Sequence, residues 1–396
     1  MDFAGKRYYN IHRILLSSIG LWPYQDPRKK TIQRIISSVI LISSVIVQLM
    51  KFLTTEYSLD LLLKVLSFTI PCIVFVLKYI SFSIGTETVK DLMENIINDW
   101  SLLKTEDEFE IIKKHSDFGR FYTMLFTLAV YSGLSVCVVI QLAPNFLDFV
   151  APQNESRLHH IPITAEYFVD QQKCYLPILL HIDVIAVVGF TTVMSTESLF
   201  AAFVQHAIGM FAIASYRIEH AFDEVLGINM PRKNCPYCRK IINAIYIHKR
   251  AIKFVEFLRS SFAISYIFLI CLGIASLTAN LFRLFLTLRC MDDLEEFIIT
   301  TLFVFGHVYY IFLGNYTGQR VIDYSTDIFY KTYMSQWYNG PLHAQKLLLF
   351  IMQRSMKSTV MCLGNLFVPS LEGFATVTTY IDETMTKLNF YILFIS

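Results

Sequence analysis

Two thiols three positions apart, in Cys235-Pro236-Tyr237-Cys238, come nearest to a chemical motif in this chain. Such a pair is half of a tetrahedral zinc site, which usually needs a second pair of Cys or His close by in sequence. No second pair follows at usable spacing. The expectation is therefore a turn that holds two thiols, with no metal and no cofactor. Hydrolytic and phosphoryl-transfer chemistry lack their signatures too: there is no Gly-rich phosphate loop, no His-Glu-x-x-His and no Gly-x-Ser-x-Gly. Nothing reads as an active site, and an enzyme is not expected.

The sharper signals are ionisable residues inside apolar runs, where each is costly in hydrocarbon. Lys64, Pro71 and Lys78 recur every seven residues, which places them within about 40° on one helix face. Either that face meets a water-filled cavity, or the two lysines snorkel to opposite interfaces; the second reading is the expectation. His181 and Asp183 are two apart and cannot share a helix face. Glu197 falls toward the inner end of the same run and His206 just past it, where the expectation leaves open that the helix has already left the membrane. Phe68, Tyr131, Ser135, Phe190 and Phe305 could line an apolar pocket between helices, although any helix packing uses the same residue types.

The elements that must position these residues follow from composition. The 396 residues are 54% hydrophobic and only 17% charged, against roughly 25% charged in an average soluble domain. Such a chain cannot coat its surface for water, so the surplus faces lipid. A net charge of +2 argues against nucleic acid as a partner. A helix needs about 20 apolar residues to cross about 30 Å of hydrocarbon. Seven stretches qualify: 35–53, 61–83, 121–143, 176–204, 262–282, 297–317 and 358–381, the last interrupted by Pro369 and Glu372. The expected fold is all-α, a seven-transmembrane helical bundle with long cytoplasmic helical extensions. It reads as a single structural domain, with 1–357 as the bundle of six helices and 358–396 as the seventh.

Cytoplasmic loops retain Lys and Arg. With the N-terminus inside, the inner segments 1–34, 85–120, 205–259 and 318–357 hold 7, 5, 9 and 5 of the chain's 34 Lys and Arg. The expected topology is thus N-terminus cytoplasmic and C-terminus extracellular, the reverse of a G-protein-coupled receptor. The glycosylation sequon at Asn154 then falls outside, whereas the sequon at Asn315 sits at a helix end. The first 30 residues carry no apolar run, so no cleavable signal peptide is expected. Cys174 and Cys290 both fall at outer ends of spans and are candidates for a disulfide. The stretch 241–258 alternates apolar and basic residues at helical spacing, which predicts a cytoplasmic helix after a break around 227–236.

Several motifs carry a resemblance. Tyr8-Tyr9-Asn10-Ile11-His12-Arg13 is followed by Gly20-Leu21-Trp22-Pro23-Tyr24. Further on come His248, Ala251, Ile252 and Phe254, then Tyr324-Ser325, Tyr333 and Trp337. Last come Gly364, Phe367, Ser370-Leu371-Glu372 and Phe374. Together these resemble insect odorant receptors, most of all those of ants, bees and wasps, over about 1–380. A gustatory receptor is the near alternative, but Thr379-Tyr380 is not followed by that family's Gln-Phe.

The resemblance implies a ligand-gated, non-selective cation channel in the plasma membrane, with a shared odorant co-receptor subunit in a heterotetramer. It implies a pocket for a small volatile or hydrocarbon in the outer half of the bundle. Candidate pocket residues are Phe68 and Cys72, Tyr131 and Ser135, His181 and Val184, Leu277 and Asn280, and Ile299 and Phe303. The seventh helices would line the pore, with Thr376, Thr379, Thr386 and Lys387 as candidates. One departure stands out. Asp382-Glu383-Thr384-Met385-Thr386-Lys387 replaces a Ser/Thr-rich apolar stretch, and Lys387 falls where the family has an apolar constriction.

Overall fold

The computed structural model describes residues 5–150, 161, 163–222, 235–290, 294–362 and 367–395, with side chains at 144–150, 289–290, 294–295, 384–385 and 388–395 outside the description. Helix α1 (Asn10–Ser18) turns His12, Leu15 and Leu16 inward. Gly20 follows with φ 75°, and a Cβ there would meet the Lys30 carbonyl oxygen at 2.8 Å. Only glycine lets the chain double back at that point. Leu21 and Trp22 are thereby buried. Asp26 then caps α2 (Pro27–Leu49), accepting the Arg28 and Lys29 N–H groups at 3.1 Å, and Pro27 begins the helix where its missing N–H costs nothing.

The chain continues through a short α3 (Lys51–Thr54), then α4 (Leu59–Ile84), α5 (Thr86–Ser101), α6 (Glu106–Val150) and α7 (Tyr175–Glu219). After these come α8 (Pro236–Cys290), α9 (Leu294–Met334), α10 (Leu342–Ser355) and α11 (Leu371–Ile395). Among the described residues, six helices are long and apolar enough to cross a membrane: those carrying α2, α4, α6, α7, α8 and α9. Each contains one of the first six predicted runs. The last run is displaced: its helix starts at Leu371, where Ser370, Asn315 and Gln319 take up the first free N–H groups, and it continues through Asp382–Lys387. Asn154 lies outside the described residues, as does most of the expected break at 227–236. Cys174 has no disulfide, and the Cys290 side chain is outside the description.

The 55 residues of α8 extend about 80 Å at 1.5 Å per residue, more than twice a hydrocarbon core. The excess lies on the same side as the N-terminus, and there the packing is dense. Leu199, Phe203, Val204, Ile208, Phe211 and Ile218 of α7 are fully buried, as are Ile241, Ala244, Ile247, Ala251 and Leu258 of α8. The predicted amphipathic stretch 241–258 supplies that second face. By contrast, the most apolar windows of α6 and α9 are only 6% buried. The physical reason is the solvent: water drives apolar side chains together, whereas lipid gives no such drive between helices. Helix α7 is the hub, touching α1, α2, α4, α6, α8 and α9.

Candidate functional site

The bundle's interior polar groups gather at four levels. At the end away from the N-terminus, Lys64 of α4 pairs with Asp60 (3.0 Å) and with Glu296 of α9 (3.6 Å). Arg283 of α8, itself buried, donates to the same Glu296 at 2.8 Å. Lys64 is therefore part of an ion cluster tying three helices together, not a lone snorkelling chain.

One level in, Phe68 of α4 meets Phe303 of α9 edge-on, ring centroids 5.4 Å apart. Beside them Ser67 donates to the fully buried Asn280 of α8 at 2.5 Å, and Asn280 donates to the Ser276 carbonyl at 2.8 Å. Leu277 is fully buried, while Ile299 and Val184 are half-buried. This seam between α4, α8 and α9 joins an aromatic edge to a satisfied amide. Other predicted pocket residues face elsewhere. Cys72 accepts from Gln48 of α2 (3.1 Å), whose carbonyl accepts from Thr69 (2.9 Å). His181 lies 3.0 Å from both Ser43 of α2 and Tyr167. Tyr131 of α6 bonds Thr191 of α7 at 2.6 Å. Ser135 is exposed and turns back to the Tyr131 carbonyl. Phe190 packs on Phe75 at 5.4 Å, and Phe305 is 69% exposed.

At the third level the structure departs furthest from the sequence expectation. Lys78 does not snorkel; its side chain is 2% exposed and forms an ion pair with Glu197 of α7. The ammonium also lies 4.2 Å from the ring centre of Tyr266 of α8. Glu197 accepts from the Tyr266 hydroxyl (3.1 Å) and from the Tyr310 hydroxyl of α9 (2.6 Å). Four helices converge on one charge pair, with Lys78 buried and Glu197 a quarter exposed, and each oxygen of the carboxylate accepts from a tyrosine hydroxyl. Lys78 was visible in the sequence as an expensive charge inside a span and Glu197 as one near a span's inner end, but their pairing across separate helices was not. Gly189 allows it, because a Cβ there would collide with the Phe75 ring, so α4 lies close against α7.

Below this level, Asp99 of α5 bonds His206 of α7 at 3.0 Å and pairs with Arg250 of α8. Arg217 grips both oxygens of Glu108, at 2.7 and 2.8 Å. His12, 1% exposed and 3.1 Å from Ser198, has its imidazole pushed down to about 4 by burial.

Helix α11 touches α9 and, more lightly, α8. Ser370 caps it, accepting the Gly373 N–H at 3.0 Å. Two residues of α9 clamp that start: Asn315 accepts the Ser370 N–H (3.0 Å) and Gln319 the Leu371 N–H (3.3 Å). The Asn315 sequon is thus a buried structural contact. Phe374 packs edge-on against Phe312, 5.4 Å away. Thr376, Thr379, Thr386 and Lys387 all lie exposed on the other side, within a stripe about 100° wide. Their threonine hydroxyls return to carbonyls four residues back at 2.9 Å. Glu383 shares that stripe, one turn before Lys387.

The remaining motif residues have structural jobs as well. Ser325 accepts the Thr359 N–H at 2.9 Å, pinning the segment that leads to α11. His248, Ala251 and Phe254 form the buried face of α8.

No curated protein matches the chain in a sequence comparison. Among solved structures, the insect olfactory receptor OR5 from Machilis hrabei is similar, with TM-score 0.76, 14% identity and 97% of each chain covered. The same receptor in complex with eugenol gives TM-score 0.74 at 12% identity, over 98% of each chain. At that identity the likeness speaks for the fold. A family model described as 7tm Odorant receptor matches residues 58–380. With most of the chain inside that match and the bundle laid out as above, this protein belongs to the 7tm odorant receptor family of insects.

Proposed function

We propose that this receptor is the ligand-tuning subunit of an odorant-gated, non-selective cation channel. It sits in the plasma membrane with its N-terminus cytoplasmic, and assembles with a shared co-receptor subunit as a heterotetramer. The observation that carries the channel reading is α11: clamped to α9 along one face, it leaves a threonine stripe bare, as a helix facing a shared axis would. Subunit contact has support from apolar side chains beyond the spans. Tyr330, Met334, Leu342, Phe350 and Met356 are each at least 64% exposed on the end of α9, on α10 and just after it, which is surface that calls for a protein partner.

The ligand is a small volatile or hydrocarbon held in the half of the bundle away from the N-terminus. The seam of Phe68, Phe303, Leu277 and Asn280 is the leading wall, with Ile299 one turn from Phe303; Val184, Cys72, Tyr131, Ser135 and His181 are secondary. A similar receptor binds eugenol, a ligand that such a wall of apolar surface with one amide would suit. Apolar burial contributes about 25 cal/mol per Å², and the ligand opens the gate only by binding the open state more tightly. Co-expression with a co-receptor, followed by recording odorant-evoked current, tests the proposal. Absence of current over a broad panel with both subunits at the surface counts against it. A tag at Met1 that stains unpermeabilised cells overturns the topology.

A further inference from the structure

The two thiols set aside in the sequence acquire a third neighbour in the fold. Cys235 stands just before the first turn of α8, Cys238 lies within that turn, and His343 lies in the first turn of α10. The two sulfur atoms and a ring nitrogen of His343 all lie within 4.8 Å of one another. Both cysteines are buried, 5% and 7% exposed. The Cys238 N–H donates to the Cys235 sulfur at 3.3 Å, which fixes that sulfur's direction. His343 Nε2 is shielded from solvent and has no hydrogen-bond partner among the described residues. A buried imidazole nitrogen left unpaired costs about 1–3 kcal/mol, so its persistence calls for an explanation.

The geometry points to a zinc site built from Cys235, Cys238 and His343. Tetrahedral zinc, with Zn–S about 2.3 Å and Zn–N about 2.0 Å, sets its ligand atoms roughly 3.5–3.8 Å apart. Side-chain rotations of about 1 Å close the present triangle to that size. Two sulfurs and an imidazole suit zinc over hard cations, which take oxygen. On binding, the two thiols release their protons to solvent, and the positive end of the α8 dipole complements the resulting dithiolate. Water takes the fourth position. The metal would tie the start of α8 to the start of α10 in the dense layer outside the spans. Because α10 leads through 356–370 to α11, the clip would set how firmly that layer holds the last helix. Sequence could not reveal the site, since the third ligand comes from a different helix.

The test uses the full-length receptor, purified in detergent through a histidine-free tag. Zinc is counted by elemental mass spectrometry, and Co²⁺ is then exchanged in. The expected result is one zinc per chain retained through desalting, with intense sulfur-to-cobalt charge-transfer absorption in the near ultraviolet. Cys235→Ser with Cys238→Ser abolishes both signals. His343→Ala keeps a thiolate spectrum but weakens metal affinity by about 100-fold or more, since a lost ligand exceeds the 10–100-fold effect of a lost second-shell partner. Size-exclusion profiles check that the variants fold; should the serine variant not fold, the wild-type cobalt spectrum and the His343→Ala titration decide. The proposal is overturned by a wild-type chain that retains no zinc and gives no charge-transfer band. Equal binding in either variant overturns it too, and so does a Cys235–Cys238 disulfide in protein purified without reductant.

Discussion

The Lys78–Glu197 pair makes a quantitative prediction about what holds the bundle together. Removing one partner of a buried ion pair costs about 3–5 kcal/mol, because the other charge is stranded. The two halves here are not equivalent. In Glu197→Gln the ammonium of Lys78, 2% exposed, keeps only the Tyr266 face, so the full penalty of about 3–5 kcal/mol applies. In Lys78→Met the carboxylate of Glu197 is a quarter exposed and keeps two tyrosine hydroxyl donors, so the loss is about 1–3 kcal/mol. Combining both changes removes both charges and leaves an amide that still accepts from a tyrosine. That variant should recover to within about 2 kcal/mol of wild type, since replacing a whole buried pair is often nearly neutral. At about 2 °C per kcal/mol for a chain of this size, Glu197→Gln should lower the melting temperature by roughly 6–10 °C. Melting in detergent, followed by tryptophan fluorescence at one fixed scan rate, ranks the variants. Additive losses in the double variant, or a Glu197→Gln protein as stable as wild type, would refute the reasoning.

Three further outcomes are expected. His12 is neutral when buried, with its pKa lowered to about 4 from about 6.5 unfolded; its contribution is intact above about 6.5 and falls as pH drops toward 4, by about 2 kcal/mol at pH 5. Wild type should therefore lose several degrees more than His12→Gln between pH 7 and pH 5 in a melting assay. A Cβ on Gly318 of α9 would collide with the Pro369 carbonyl, so Gly318→Ala should displace the start of α11 and cut evoked current while surface labelling persists; undiminished current would show that this contact does not set the helix. Charged rings tune ion selectivity, so Lys387→Gln should raise, and Glu383→Gln lower, cation over anion permeability, read from reversal potentials in asymmetric salt; unchanged potentials would place that stripe away from the conduction path.

The sequence alone determined that the chain lives in lipid, where its first six long helices run and which family motifs it carries, because those depend on composition and on local apolar runs that each helix satisfies by itself. It also exposed Lys64, Lys78 and Glu197 as costly residues. Only the tertiary structure decided how the cost is met: Glu197 meets Lys78, Tyr266 and Tyr310 from three other helices, and no spacing along one helix encodes that. The same holds for the sorting of pocket candidates, where Phe68, Phe303 and Asn280 converge while His181 and Cys72 turn to α2. It holds for the displaced last helix, whose start is fixed by Asn315 and Gln319 of α9, and for His343 beside Cys235 and Cys238. Burial and pairing are properties of neighbours distant in sequence, and lipid, unlike water, leaves polar contacts and close steric fit to choose which neighbours meet.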